Sequence, residues 1–280
     1  MIRVLLQGRT GNNLFQYAAG RALAIRHHTT LELDFSWAGA DAAQIRQLER
    51  LPIQARIARS WSPLKKGIRR LTGKGPELWH HGPIYQDRGS DSGFDPQVLN
   101  LPNHTLLTGF FQNEGYFLSI AASIRRELSL DAIKLPAASA TTCDLIHSHP
   151  MASLHIRRGD YLNIPATRCV PADYHTKACH YLQERFENLR FLVFSDDIAW
   201  CRKEFIGSQF HFCDHPESAA DPFHDLKLIA ACQHHIIMNS SYSWWGAWLN
   251  PSQDKTIVAP KMWMTNTHAH SVIPSSWILM

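Results

Sequence analysis

The stretch "SLHIRRGDYL", Ser153–Leu162, sets two arginines, a histidine and an aspartate directly behind a short apolar run. Such a run reads as a buried strand. Strand side chains alternate between faces, so His155 and Arg157 belong to one face and Ile156 and Arg158 to the other. Two cations and a carboxylate at the end of a buried strand suit either an anionic ligand such as a phosphate or a structural ion pair. A guanidinium stays charged and bonds phosphate bidentately. Arg158 is therefore assigned to phosphate, with the ion pair as its alternative. Arg157 is assigned to the ion pair, with Asp160 as the partner.

The flanks repeat the same grammar. "DYHTKACHYLQERF" reads as a helix with Asp173 as N-cap, "RFLVFSDD" as a strand, "IAWCRKEF" and "FHDLKLIAAC" as helices. "HHIIMNSSYSWWGAWLN" reads as strand, serine-rich turn and helix, and "KTIVAPKMW" as a last strand. The chain also opens this way: strand "IRVLLQ", loop "GRTGNN", helix Leu14–His28, strand "TTLELDF". "HTLLTGFFQNEGYFL" reads as a strand entering a polar turn and a helix, and Gly73–Pro96 reads as loop. Strands alternating with helices predict parallel α/β sheets. Two halves are expected, an N-terminal domain over 1–140 and a C-terminal domain over 141–280.

Composition agrees with a globular chain. Of 280 residues, 45% are apolar and 19% charged, enough to build a substantial core. The net charge of +4 does not by itself predict a nucleic-acid partner. Neither the 17 histidines nor the six cysteines fall at a metal-ligand spacing, so no metal site is expected and the thiols are read as free. No apolar run reaches membrane-span length and the N-terminus lacks a signal-peptide pattern, so a cytoplasmic protein is expected. The basic segment around Lys65–Lys74 is read as a solvated face, or as a peripheral contact with an anionic membrane surface. The sequons at Asn103 and Asn239 carry no weight in such a chain.

Ligands of open α/β sheets bind beyond the carboxyl ends of the strands. Four polar clusters fall there. "GRTGNN" holds Asn12 and Asn13, "RRGDY" follows His155, "SDD" holds Ser195 and Asp196, and "NSSYSWW" holds Ser240, Ser241 and Ser243. Helix N-termini bind phosphate through free N–H groups, so the serine turn is a diphosphate cradle unless Ser241 or Ser243 merely caps the helix. Asp196 is suited to a ribose hydroxyl or a guanine edge, or to capping "IAWCRKEF". Trp248 is expected to pack inside, while Trp244 and Trp245 are open between packing and supporting a base or sugar.

"GRTGNNLFQYAAGRALA", "GFFQNEGYF", "HIRRGDY", "FSDDIAWC" and "NSSYSWWGAWLN", in this order, resemble the motif set of the family 11 glycosyltransferases, the α-1,2-fucosyltransferases. Asn13 and Leu14 stand where that family usually has Gln and Met, and Gly115 where a Lys is common. The resemblance implies a GT-B-like fold of two Rossmann-like domains facing across a cleft, with the acceptor on the N-terminal side and the donor on the C-terminal side. It implies GDP-L-fucose as donor, inversion at the anomeric carbon and no metal or other cofactor. It also implies that Arg158 contacts the diphosphate and that the loop holding Asn12 faces the fucose. The expected acceptor is O2 of a terminal galactoside, in a surface-polysaccharide or lipid-linked precursor. Donor contacts are expected from His155, Arg157, Arg158, Asn13, Ser195, Asp196, Ser240, Ser241 and Ser243. Asp160 and Glu114 are the two candidates for a base. A transferase for another GDP-deoxysugar and a non-catalytic GDP-sugar- or glycan-binding protein are the alternatives.

Overall fold

The computed structural model describes residues 1–35, 46–58, 80–89, 93–214 and 221–280. The basic segment Lys65–Lys74 therefore lies outside the described residues. The chain forms two compact units, Met1–Ser129 and Leu130–Met280. Residues 130–140, read from sequence as part of the first half, go with the second. Lys227 Nζ donates to the carbonyls of Asp131 and Ile133, and Leu135 packs beside Ile146 and Met151.

The first unit opens with β1 (Ile2–Leu5), α1 (Thr10–Arg26) and β2 (Leu31–Asp34). The helix starts inside "GRTGNN", not at Leu14. Gly8 takes φ 75° and turns the chain off the strand, and Arg9 is extended as the N-cap. Asn12 and Asn13 thereby enter the first helical turn. Then follow β3 (Arg56–Ile57), β4 (Ile84–Gln86) and β5 (Leu106–Thr108), and the parallel sheet has the order β3-β2-β1-β5-β4. β4 lies in the stretch read as loop. It is a three-residue edge strand with Ile84 exposed, too short for an alternation to show. The first unit ends in α2 (Ala121–Glu127). A buried polar group joins α1 to α2: Tyr17 donates to Glu127 and accepts from the Gln54 N–H at 3.0 Å, and Arg21 donates to Glu127 at 2.9 Å.

The second unit runs α3 (Ala140–Ser148), β6 (Met151–Ile156), α4 (Tyr174–Gln183), β7 (Arg190–Ser195), α5 (Ile198–Glu204), β8 (Phe210–Phe212), α6 (Pro222–Ala231), β9 (His234–Ile236), α7 (Ser241–Leu249) and β10 (Ile257–Ala259). A hairpin of β11 (Met262–Met264) and β12 (Thr267–His268) precedes β13 (Ile278–Leu279). The parallel sheet has the order β13-β10-β9-β6-β7-β8. Both its faces are covered. Ala152, Leu154 and Ile156 pack with Tyr174, Leu182 and Cys201 from α4 and α5. Met151, Leu192 and Phe194 pack with Leu228 and Ile229 of α6. Asp173 stands at the N-cap of α4 but makes no capping bond; it pairs with Lys177 at 2.6 Å instead. Trp244, Trp245 and Trp248 are all buried, so all three are core.

Three of the buried histidines of this unit, His155, His175 and His235, have strongly lowered pKa values. His235 joins Ser153 Oγ to Asn250 Nδ2, both at 2.8 Å. Burial pushes it down to about 3, with Lys255 adding to the shift. Burial, then the Arg157 charge, pushes His155 to about 3, and burial pushes His175 to about 4. These values lie below the unfolded value of about 6.5, so the unfolded chain binds more protons between them. The contribution is complete above about pH 6.5 and is lost as pH falls toward the folded values. Unfolding free energies from urea titrations should fall as pH drops from neutral, by roughly 1–2 kcal/mol per histidine at about pH 5. Tyr17→Phe should cost about 1–3 kcal/mol in the same assay at neutral pH, because it strips a partner from a buried carboxylate.

Candidate active site

β6 and β7 pair in parallel through Ile156↔Ser195. The register therefore sets the "RRGD" turn beside the "SDD" turn. Arg157 is held on two sides. Its Nε and Nη2 donate to Asp160 Oδ1 at 3.0 and 2.8 Å, and its Nη1 lies 3.2 Å from Asp196 Oδ2. Arg158 engages the next carboxylate. Its Nε donates to Asp197 Oδ2 at 3.1 Å, and its guanidinium stacks 3.8 Å from the centre of the Trp200 ring. The backbone N–H of Arg158 donates to Asp196 Oδ1 at 2.9 Å.

The alternation read from sequence is present, with a consequence for the arginines. Ile156 packs on the α4–α5 face, and Arg158 lies over Trp200 of α5. His155 faces Tyr242 of α7, ring centroids 6.0 Å apart. Arg157 belongs to this second environment. Its backbone N–H donates to Met238 Sδ at 3.0 Å, and its guanidinium lies 5.7 Å from the Tyr161 ring. Tyr161 in turn donates to the Asn239 carbonyl at 3.0 Å. Both arginines are thus ion-paired, and Arg157 is the one beside the entry to α7.

That entry is not capped as expected. Ser240 is the N-cap residue, extended and without a side-chain cap bond. Ser243 is fully buried and donates back to the Ser240 carbonyl at 3.2 Å, so neither Ser243 nor Ser240 satisfies the first-turn N–H groups. Ser241 is half-buried at the first helical position. Asn239 anchors the loop from below, its Nδ2 donating to the carbonyls of Thr167 and Trp263 at 3.1 and 2.9 Å.

Asp196 does not cap α5. Asp197 does, accepting from the Trp200 N–H at 3.1 Å, and Ser195 Oγ accepts from the Asp197 N–H at 3.0 Å. Asp196 is left for the two arginines. Asp197, Trp200, Tyr161 and Tyr242 were not singled out from sequence, and Asn239 was noted only as a sequon. The final residue before a helix is the usual cap position, a signal that would have separated Asp197 from Asp196. His155 is 6% exposed and lies within the sheet face, so its ring is core more than contact.

In the first unit, Asn12 and Asn13 diverge. Asn13 is buried and donates to the Gln7 carbonyl and Gln16 Oε1, both at 3.1 Å. It holds the β1–α1 turn and is not presented to a donor. Asn12 is half-buried, and its Oδ1 accepts from Gln112 Nε2 at 2.7 Å. A β-carbon on Gly8 would lie 2.5 Å from Asn12 Nδ2, so the glycine is what admits this amide. Glu114 is not a cap. Asn113 caps that turn by accepting from the Gly115 N–H at 2.7 Å. The Glu114 carboxylate instead supports the charge of the half-buried Arg125, which burial disfavours.

Residues 89–279 match the model of glycosyl transferase family 11. The chain is 31% identical to an α-1,2-colitosyltransferase of Escherichia coli, over 98% of this chain and 96% of that one. It is 30% identical to the galactoside 2-α-L-fucosyltransferase Sec1 of Mus musculus, over 67% of this chain and 53% of that one. In fold it is similar to the crystal structure of a glycosyl transferase family 9 protein from Veillonella parvula, with a TM-score of 0.52 at 11% identity over 100% of this chain and 84% of that one. The architecture is GT-B-like: two units, each with its own parallel α/β sheet. The chain belongs to glycosyl transferase family 11.

Proposed function

We propose that the protein transfers L-fucose from GDP-β-L-fucose to O2 of a terminal galactoside, with inversion and without a metal. The carrying observation is Arg157 beside the entry to α7, where the N-cap Ser240 makes no side-chain cap bond. The N–H groups of a helix's first turn and the helix dipole favour an anion there. The transition state of such a transfer is oxocarbenium-like, so the largest help is stabilisation of the departing diphosphate. Arg157 and the Ser241–Ser243 N–H groups supply it. Asp160 and Asp196 engage three of the five N–H donors of Arg157, which fixes its orientation while its Nη groups keep donors for phosphate. Arg158 instead braces the Ser195–Trp200 turn through Asp197 and Trp200. This reverses the order of the two arginines expected from sequence, on the ground of which face each occupies.

Asp196 and Asp197 are both turned to arginines, an arrangement that favours charge stabilisation by the protein itself over a carboxylate-held divalent ion. Asp160 is likewise committed to Arg157, which makes it an orienting group before a base. Asn12 orients the sugar side. The expected setting is cytoplasmic, on a surface-polysaccharide precursor; among the described residues no helix is long and apolar enough to cross a membrane. A second reading has a specific basis. The relative matched over 98% of this chain is named for colitosyl transfer, so GDP-colitose is the rival donor.

The test mixes the purified protein with each GDP-sugar and lactose in excess chelator, following GDP release and acceptor mass together. A gain of one deoxyhexose from GDP-fucose, in a 2-linked product of inverted configuration, is the expected result. Transfer only from GDP-colitose selects the second reading, and GDP binding with no transfer of either rejects both. Arg157→Ala should lower kcat by about 10²–10³-fold, the scale of losing one preorganised charge-stabilising donor, with circular dichroism unchanged. Arg158→Ala should cost less. A larger loss from Arg158→Ala would return the diphosphate role to that residue.

A further inference from the structure

The end of β5 carries a local geometry that hydrophobic burial does not explain. Gly109 takes φ 112° and Phe111 takes φ 53°. The second is a left-handed conformation that a bulky L-residue seldom adopts, and such conformations persist where the surroundings over-determine them. Asp87, at the end of β4 and 8% exposed, does so here. Its Oδ2 accepts from the N–H groups of both Phe110 and Phe111, at 3.2 and 2.9 Å. A β-carbon on Gly109 would lie 2.3 Å from Asp87 Cβ, so only glycine lets the carboxylate in.

The turn separates two adjacent phenylalanines. Phe111 is fully buried, packed edge-on to Tyr116 at 5.5 Å. Phe110 is held outside at 37% exposure. Its Cε1 lies over Gly8, 3.3 Å from where a β-carbon would stand, and the same glycine backs onto Asn12. The Asn12–Gln112 amide pair completes the group. β1 and β5 are neighbours in a parallel sheet, so this ring and these amides lie where their carboxyl ends meet, the usual place for a ligand.

We propose that Phe110 is the platform on which the apolar face of a hexopyranose ring rests, with the Asn12 and Gln112 amides at its hydroxyl edge. The inference rests on the transferase reading and names its sugar subsite in the first unit. A pyranose has a C–H face and a rim of hydroxyls. An aromatic ring covers the first with large apolar contact area, and amides, which both donate and accept, match the second. Asp87 is then a positioning residue, acting through the backbone of the turn. The ring can come from the acceptor or from the sugar of the donor.

The test uses the full chain carrying ¹³C-labelled phenylalanine, with the Phe110 ring signal assigned by its loss in Phe110→Leu. Lactose, GDP and GDP-fucose are titrated separately. A shift of that signal with lactose supports the platform and assigns it to the acceptor. A shift with GDP-fucose but not with GDP supports it and assigns it to the donor sugar. No shift with either sugar overturns it. GDP binding is read in parallel, so failure of the transferase reading shows as absent GDP binding whatever the Phe110 signal does. In turnover, Phe110→Leu should raise KM for the assigned sugar about ten-fold with kcat little changed, and Phe110→Trp should restore it. Because the ring is exposed, the melting temperature should be unmoved.

Discussion

Two guanidinium groups on consecutive residues at the end of a buried strand repel one another and lose water. They are stable there only because three carboxylates meet them. Asp160 and Asp196 take Arg157, and Asp197 takes Arg158. Two of these acids follow β7, so the charge balance depends on β6 and β7 running parallel in a single register. A slip of one residue would exchange the faces of the whole strand. It would carry Arg157 from the α7 side to the α5 side and leave the carboxylates facing apolar groups. The ordinary packing of Leu154, Ile156, Phe191 and Val193 fixes that register. The site is therefore specified by the core beneath it, not by the loops that carry it.

Much of this was legible in the sequence because it is local. The βα opening, the polar clusters after apolar runs and the opposite faces of Ile156 and His155 follow from spacing alone. What was not legible is the choice among partners. Asp196 and Asp197 are adjacent and chemically identical, and only the start of α5 decides which one caps. Arg157 and Arg158 are likewise equivalent until the helices on each face are known. Asn13 looks like a ligand residue until α1 begins at Thr10 and turns its amide to Gln7 and Gln16. The short strands β3, β4, β8 and β13 were missed for a related reason. With two or three residues each, they have no period to detect and exist only through pairing with their neighbours.

The two units organise the same place in the same architecture by different means. The strand ends of the second unit are organised by charge. Among its described residues, the positive-φ positions are Asn188 and Gly207, neither in the Arg157–Tyr161 or Met238–Ser243 segments. Its side chains are held by opposite charges rather than by backbone strain. The tip of the first unit is organised by sterics: Gly8, Gly109 and Phe111 all have positive φ, and its polar side chains are mostly neutral amides. Physical requirements match this contrast. A diphosphate is strongly hydrated, and a cation prepared to receive it must itself be kept partly desolvated; neighbouring carboxylates stabilise that cation until the ligand arrives. On the proposed function, the ligand must then compete with Asp160 and Asp196 for the charge of that guanidinium. That competition limits affinity for the ground state and for the released nucleotide alike. It leaves the extra charge that develops as the bond to the sugar breaks as the feature that Arg157 can reward, which is the condition for binding energy to raise turnover instead of merely tightening the complex.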